Sequence, residues 1–339
     1  MLASMPLWET LAGLRLRVDR YDLARRELAL PSGWTRVTTT VVMHGDGETG
    51  NGEDVTYTAP DHEHVPAGLA LAGTWTLADL SGRLDELTLW GGSEDDKASI
   101  DHRRWAFESA ALDLALRQAG ASLAEAVGRP YRPVRFVVST RSELEPYFEL
   151  YPDIELKLDA GPDWDRPLMQ RLAAYDRVRV VDLKAYYRGT SVDLAPSPEL
   201  YRAVVECFPD VVIEDPWLED GCREALAGAE DRLSFDAPVH SLSDLDGLPL
   251  EPRWLNVKPS RFGTVRKLVE CIEACERRGI AMYGGGQFEL GVGRRQIQRL
   301  ASVFYADGPN DVAPSEYNEA GARPGLPTSP LPAPEGSGF

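Results

Sequence analysis

The sequence predicts an α/β fold, a parallel (β/α) barrel preceded by a smaller α+β domain. Three observations carry that expectation. Between Lys157 and Lys258, short apolar runs of strand length keep ending on an ionisable residue: IELKLD on Lys157 and Asp159, VRVVDLK on Asp182 and Lys184, VVIEDP on Glu214, RLSFDAP on Asp236 and WLNVKPS on Lys258. Helical patterns separate the runs, as at 167–175, 197–208 and 264–279. A chain of 339 residues is long enough for one barrel and one smaller domain.

In chain order, residues 12 to 57 read as an antiparallel meander. LRLRVDRY, TRVTTTVVMHG and GEDVTY are strand-like, and the cluster from Gly45 to Gly52 has turn chemistry. Residues 60 to 100 look irregular, with PDHEHVP and WGGSEDD as loops. His62 and His64 sit in that acidic stretch, where solvated histidines are commoner than a metal pair. A helix is expected over 103–120, with Trp105, Ala106, Ala110, Leu112, Ala115 and Leu116 on its apolar face and Gly120 as its stop. SLAEAVG reads as a short helix, and the first barrel strand is expected near 134–139. IAMYGGG fits a seventh strand, followed by a helix from about Arg294. Its three glycines mark either a backbone passing close to a ligand or a tight turn. The expected division is a first domain over 1–130, a barrel over 131–310 and a C-terminal segment over 311–339. That segment should return to the first domain and end in about ten mobile residues, because it is rich in Pro and Gly.

Bulk properties mainly exclude. A formal charge of −18 argues against nucleic acid and anionic membranes as partners. The start lacks the basic and apolar regions of a signal peptide, and no run reaches the ~20 apolar residues of a membrane span. The four cysteines form no CxxC pair. Cys271 and Cys275, one helical turn apart, fit a buried helix face better than a soft-metal site. A reduced, cytoplasmic protein is expected, with a homo-oligomer left open.

In a barrel of this kind the C-terminal strand ends share one mouth. Asp182, Glu214 and Asp236 would then meet Lys157, Lys184 and Lys258 in one pocket. Clustered carboxylates repel unless a cation lies between them, and oxygen-only donors suit Mg²⁺ or Mn²⁺. Lysines beside such an ion are suited to moving a proton next to a carboxylate. Each residue has a plainer reading: strand-end acids capping helices, Lys258 as a surface lysine before Pro259, and Lys184 and Lys157 in structural ion pairs, Lys184 with Asp159. His240 is an alternative acid or base, or part of a solvated turn.

The chain resembles the enolase superfamily, in its muconate-lactonising and mandelate-racemase branch, from about Leu14 to Asn318. The carriers are the G-x-G-E turn (Gly50, Gly52, Glu53), the helix RWAFESAALDLALRQAG, the acids Asp182, Glu214 and Asp236, VKPSRFG with Lys258, and GGGQFELGVGR. The acids and Lys258 are spaced by 32, 22 and 22 residues. The resemblance implies a capping domain, a modified TIM barrel, and Mg²⁺ on Asp182, Glu214 and Asp236. It also implies removal of the proton α to the carboxylate of a small organic acid, giving a metal-stabilised enolate. Lys258 and a second-strand lysine would face the substrate carbon. The chain departs from the family twice: Lys157-Leu158-Asp159 stands for Lys-x-Lys, and Asp182-Leu183-Lys184 for Asp-x-Asn. One lysine has moved from the second strand to the third. The leading expectation is a Mg²⁺-dependent lyase or isomerase (dehydratase, cycloisomerase, racemase or epimerase). The alternative is an altered barrel that keeps only a metal- or ligand-binding role.

Overall fold

A computed structural model describes residues 5–91, 96–190 and 192–339. The N-terminal part contains α1 (Leu7–Ala12), β1 (Arg15–Val18), β2 (Arg20–Ala29), β3 (Thr35–Gly45), β4 (Glu48–Asp54), β5 (Gly73–Thr76), α2 (Leu77–Asp85), α3 (Lys97–Gln118) and α4 (Leu123–Ala126). Strands β2, β3 and β4 form the expected antiparallel meander, and β1 pairs antiparallel with β5. Two expectations need correction. The G-x-G-E motif lies inside β4, while the turn before it is made by Asp46 and Gly47, both at positive φ. The stretch expected to be irregular contains β5 and α2, and α2 opens on a capping box between Thr76 and Asp79. The expected loop over 90–96 lies outside the described residues at 92–95.

The glycines of β4 are there for packing. A Cβ on Gly50 would come 2.3 Å from the carbonyl oxygen of Ala110, and one on Gly52 would come 2.0 Å from that of Ala106. Only bare backbone lets β4 lie this close to α3. His62, expected in solvent, is buried, with Nδ1 3.0 Å from Thr39 Oγ1 and Nε2 2.9 Å from the Thr56 carbonyl.

The barrel strands are β6 (Val138–Ser139), β7 (Leu156–Asp159), β8 (Val178–Asp182), β9 (Val212–Glu214), β10 (Leu233–Phe235), β11 (Trp254–Val257) and β12 (Ala281–Gly284). They form one parallel sheet in sequence order. Helices α5 (Glu145–Leu150), α6 (Arg166–Ala174), α7 (Pro198–Cys207), α8 (Cys222–Ala225), α9 (Leu242–Asp246), α10 (Pro259–Phe262) and α11 (Val265–Arg278) lie between them, and α12 (Val292–Phe304) follows. Asn310 and Asp311 close the ring: Asp311 N donates to the Gly284 carbonyl at 2.8 Å, and Val137 N to the Asn310 carbonyl at 2.8 Å. The fold is a (β/α) barrel with an α+β capping domain, as the sequence led us to expect. Cys271 and Cys275 are buried on α11.

Cap and barrel are joined at the mouth. Glu53 accepts from the backbone N–H groups of Leu290, Gly291 and Gly293, so the last residue of the G-x-G-E motif sits at the N-terminus of α12. Fully buried Arg36 donates to carbonyls on both sides of the seam, Val55 and Thr56 in the cap and Gln287 and Phe288 in the barrel. The C-terminal residues, expected to be mobile, are docked instead. Gly338 N donates to the Ala121 carbonyl at 2.8 Å, Phe339 N donates to Asp113 Oδ1 at 2.8 Å, and the Phe339 ring meets Trp105 edge-on.

Candidate active site

The parallel register sets Asp159, Asp182 and Glu214 side by side at the ends of β7, β8 and β9. Asp236 follows β10 directly, and Lys258 follows β11. All six residues expected at the mouth are therefore brought together. Their side chains are nearly sealed: Asp182, Glu214 and Asp236 are 0 % exposed, Lys157 2 % and Lys258 7 %.

Each carboxylate has a cation against it. Lys157 Nζ lies 2.6 Å from Glu214 Oε1, 3.2 Å from Asp182 Oδ2 and 3.6 Å from Asp311 Oδ2. Lys184 Nζ lies 2.5 Å from Asp182 Oδ2 and 3.2 Å from Asp159 Oδ1. The relocated lysine thus pairs with the aspartate that stands in the family's lysine position. Lys184 does not simply continue the strand, because its φ is +53° and its backbone N–H donates to Asp182 Oδ1. On the other side, Lys258 Nζ is 2.7 Å from Asp236 Oδ2 and Arg261 Nε is 3.0 Å from Asp236 Oδ1. Glu214 also accepts from Asn256 and from the Tyr283 hydroxyl, at 3.1 and 2.6 Å. Asp215, at φ +50°, accepts from the backbone N–H groups of Asp236 and Ala237 and so shapes the start of the next loop. Positive φ in non-glycine residues costs strain, and here two such residues flank the carboxylates.

These contacts order the acidities. Burial pushes Glu214 up to about 7, with Asp182 and Asp236 adding to the shift and Lys157 opposing it. Burial also disfavours the Asp182 and Asp236 carboxylates, but their cations more than offset it and hold both below the usual range: Lys184 and Lys157 on Asp182, Arg261 and Lys258 on Asp236. The three lysines are raised despite burial, because the acids they touch favour the ammonium form.

The donor chemistry fits a hard divalent cation. Oxygens of Asp182, Glu214 and Asp215, all buried, lie within 4.8 Å of one another. Asp236 falls outside that close group, since Lys258, Arg261 and Tyr187 hold its carboxylate. Its Oδ1 lies 3.0 Å from Arg261 Nε without hydrogen-bond alignment, so that contact is an ion pair only. The Lys157 ammonium supplies the positive charge between Asp182 and Glu214.

Sequence reasoning missed several contributors. Asp311 sits on the closing segment, Asn256 and Tyr283 point inward from β11 and β12, Tyr187 reaches in from the loop after β8, and Arg261 from the short α10. The only signal for Arg261 and Tyr187 was proximity in sequence to Lys258 and Lys184. The glycine loop has an explanation not foreseen: a Cβ on Gly285 would come 2.4 Å from Asn256 Oδ1 and 2.8 Å from Lys258 Cε. His240 lies apart from the carboxylates, with Nδ1 2.9 Å from Asp101 Oδ2 of α3.

Residues 130–319 match the family described as the C-terminal domain of a domain of unknown function, DUF8230, and residues 9–126 match its N-terminal domain. The chain belongs to the DUF8230 family. Among curated proteins, this DUF8230 chain is 24 % identical over 291 residues to an o-succinylbenzoate synthase of Bacillus subtilis, covering 79 % of this chain and 75 % of that one. Among solved structures it is similar to a dipeptide epimerase from Enterococcus faecalis, at a TM-score of 0.69 and 16 % identity, covering 95 % of this chain and 98 % of the other. A member of the enolase superfamily from Listeria innocua aligns at a TM-score of 0.60 and 18 % identity, covering 89 % and 85 %. The fold of this DUF8230 member is that of the enolase superfamily. The synthase and the epimerase among these relatives are enzymes. Among the described residues no helix is long and apolar enough to cross a membrane.

Proposed function

We propose that this protein removes the proton α to the carboxylate of a small organic acid, giving an enolate that a lyase or isomerase step then resolves. The observation that carries this reading is the placing of Lys184 and Lys258 on either side of a wall of buried carboxylates. Lys184 stands on the β7–β8 side and Lys258 on the β10–β11 side. Asp182, Glu214 and Asp236 would hold Mg²⁺, or Mn²⁺ in its place. A divalent ion there would polarise the substrate carboxylate and acidify the α-hydrogen. One lysine, as the amine, would take the α-proton, while the other, as ammonium, would stabilise the developing charge or return a proton to the other face. Lys157 is fixed by three carboxylates and is assigned to balancing their charge. Asp159 would orient Lys184.

Proton exchange tests the reading. The protein with Mg²⁺ in D₂O is incubated with a library of acids that includes o-succinylbenzoate and dipeptides, and deuterium at the α-carbon is read by NMR. Exchange on at least one acid, abolished by chelator, is expected. A second reading has its own support: every proposed ligand is already paired with a cation, and both lysines are favoured as ammonium. Tight Mg²⁺ binding without exchange on any acid would favour that reading, a barrel that binds a metal or ligand and has lost the reaction.

A further inference from the structure

Tyr187 lies between the two lysines that the proposed reaction needs on either side of its substrate. Its hydroxyl donates to Asp236 Oδ2 at 3.0 Å and accepts from Arg261 Nη2 at 2.8 Å. Lys258 Nζ meets the same Asp236 oxygen at 2.7 Å, and Lys184 Nζ stands 5.1 Å from the centre of the phenol ring. The phenol is therefore tied at its oxygen to the Lys258 side and lies beneath Lys184 by its face. Around it Arg261 and Lys258 are each only 7 % exposed, whereas Tyr187 itself is half-buried. The ring thus takes up space next to the Lys184 ammonium and the Lys258–Asp236 pair, where the proposed reaction would put the substrate carbon.

The bonds of the phenol show what can replace it. Arg261 Nη2 gives its shorter bond, 2.8 Å, to a neutral hydroxyl oxygen and a longer one, 3.3 Å, to Asp236 Oδ2. A carboxylate accepts the same donor with full charge and a second oxygen, a stronger pairing. A neutral molecule of the same shape offers Arg261 no more than the phenol does. We infer that Tyr187 is a specificity-determining residue whose phenol keeps the substrate's place, so that an acid enters by taking over the Arg261 donor as the ring turns aside. This rests on the proposed position of the substrate between the lysines. It requires no catalysis, so binding alone tests it.

The test is calorimetric titration of the full chain with phenylacetate, and with benzyl alcohol as a neutral counterpart, with and without Mg²⁺. Tyr187→Phe keeps the ring under Lys184 and removes both hydroxyl bonds that an entering acid must break. Its affinity for phenylacetate should rise about tenfold over the parent, the effect of roughly one or two ordinary hydrogen bonds. Benzyl alcohol should bind both proteins equally poorly. Adding Arg261→Gln to Tyr187→Phe should erase the gain, and thermal melting would show that each variant is folded. Equal or weaker phenylacetate binding by Tyr187→Phe, or none by either protein, overturns the inference. A gain in binding without deuterium exchange on any acid would instead count against the proposed reaction and leave the role of Tyr187 standing.

Discussion

Relative to the enolase-superfamily pattern the sequence resembles, Asp159 stands in place of a lysine and Lys184 in place of an asparagine, and the two groups meet at 3.2 Å across neighbouring strands. That pairing was legible in the sequence, since both residues lie at strand ends that must adjoin in a parallel barrel. The shape of Lys184 was not, because the left-handed turn depends on its backbone bond to Asp182. Arg261, Tyr187 and Asp311 were also hidden, as nothing in the composition of a loop or a one-turn helix says how far a side chain reaches. If the two lysines carry the proton between them, Lys258→Ala and Lys184→Ala should each lower turnover by roughly 10²–10⁴-fold while Mg²⁺ still binds. Steady-state kinetics together with metal titration would separate these outcomes. Lys157→Ala should act differently, disturbing folding first, because it leaves Glu214 buried beside Asp182 without its cation. Glu214→Gln keeps the volume and the bonds to Asn256 and Tyr283 within reach but replaces the carboxylate by a neutral amide, taking one of three negative charges from the proposed ligand set. Calorimetry should show Mg²⁺ affinity falling at least about tenfold, and an unchanged affinity would remove Glu214 from the ligand set.

Among the elements, the barrel strands were the easiest to read. Parallel strands covered on both faces need continuous apolar runs, and each run ended where its strand does within a residue or two. β5 and α2 escaped because they are short and flanked by loops, although Thr76 and Asp79 already spelled a capping box and Leu77, Leu80 and Leu84 a buried stripe. The G-x-G-E motif was recognised as a pattern but misplaced as a turn. Its physical content lies in two contacts, glycine backbone against α3 and Glu53 against the start of α12. Gly52→Ala would drive a methyl into the Ala106 carbonyl oxygen. It should destabilise the protein by about 3 kcal/mol, at the upper end of overpacking effects, and chemical denaturation would measure it. A loss below about 0.5 kcal/mol, the range of ordinary surface substitutions, would mean that β4 can shift away from α3 freely.

For the molecule as a whole, the seam between cap and barrel gathers buried charge, and a single residue of α3 reports on it. His102 is 2 % exposed, and neither ring nitrogen has a hydrogen-bond partner among the described residues. Burial holds its pKa well below the usual histidine value, and the nearby charges of Arg261, Arg36, His240 and Lys258 push the same way. The imidazole is therefore neutral when folded, whereas in the unfolded chain it protonates below about pH 6.5. The unfolded state binds the extra proton, so the stability linked to His102 is present above that pH and is lost as pH falls toward the depressed folded value. Glu214 opposes this trend: its raised value means that protonation below about 7 favours the folded state, so the unmodified protein's own pH profile would blur the two. Comparing the parent with His102→Gln isolates the histidine. The stability difference between them should stay constant above about pH 7 and then shift against the parent by roughly 1.4 kcal/mol per unit below about pH 6.5. Urea denaturation from pH 8 to pH 5 would follow it. Parallel curves for the two proteins across that range would show that His102 is solvated or charged in the folded state, and that the seam between cap and barrel is looser than its contacts describe.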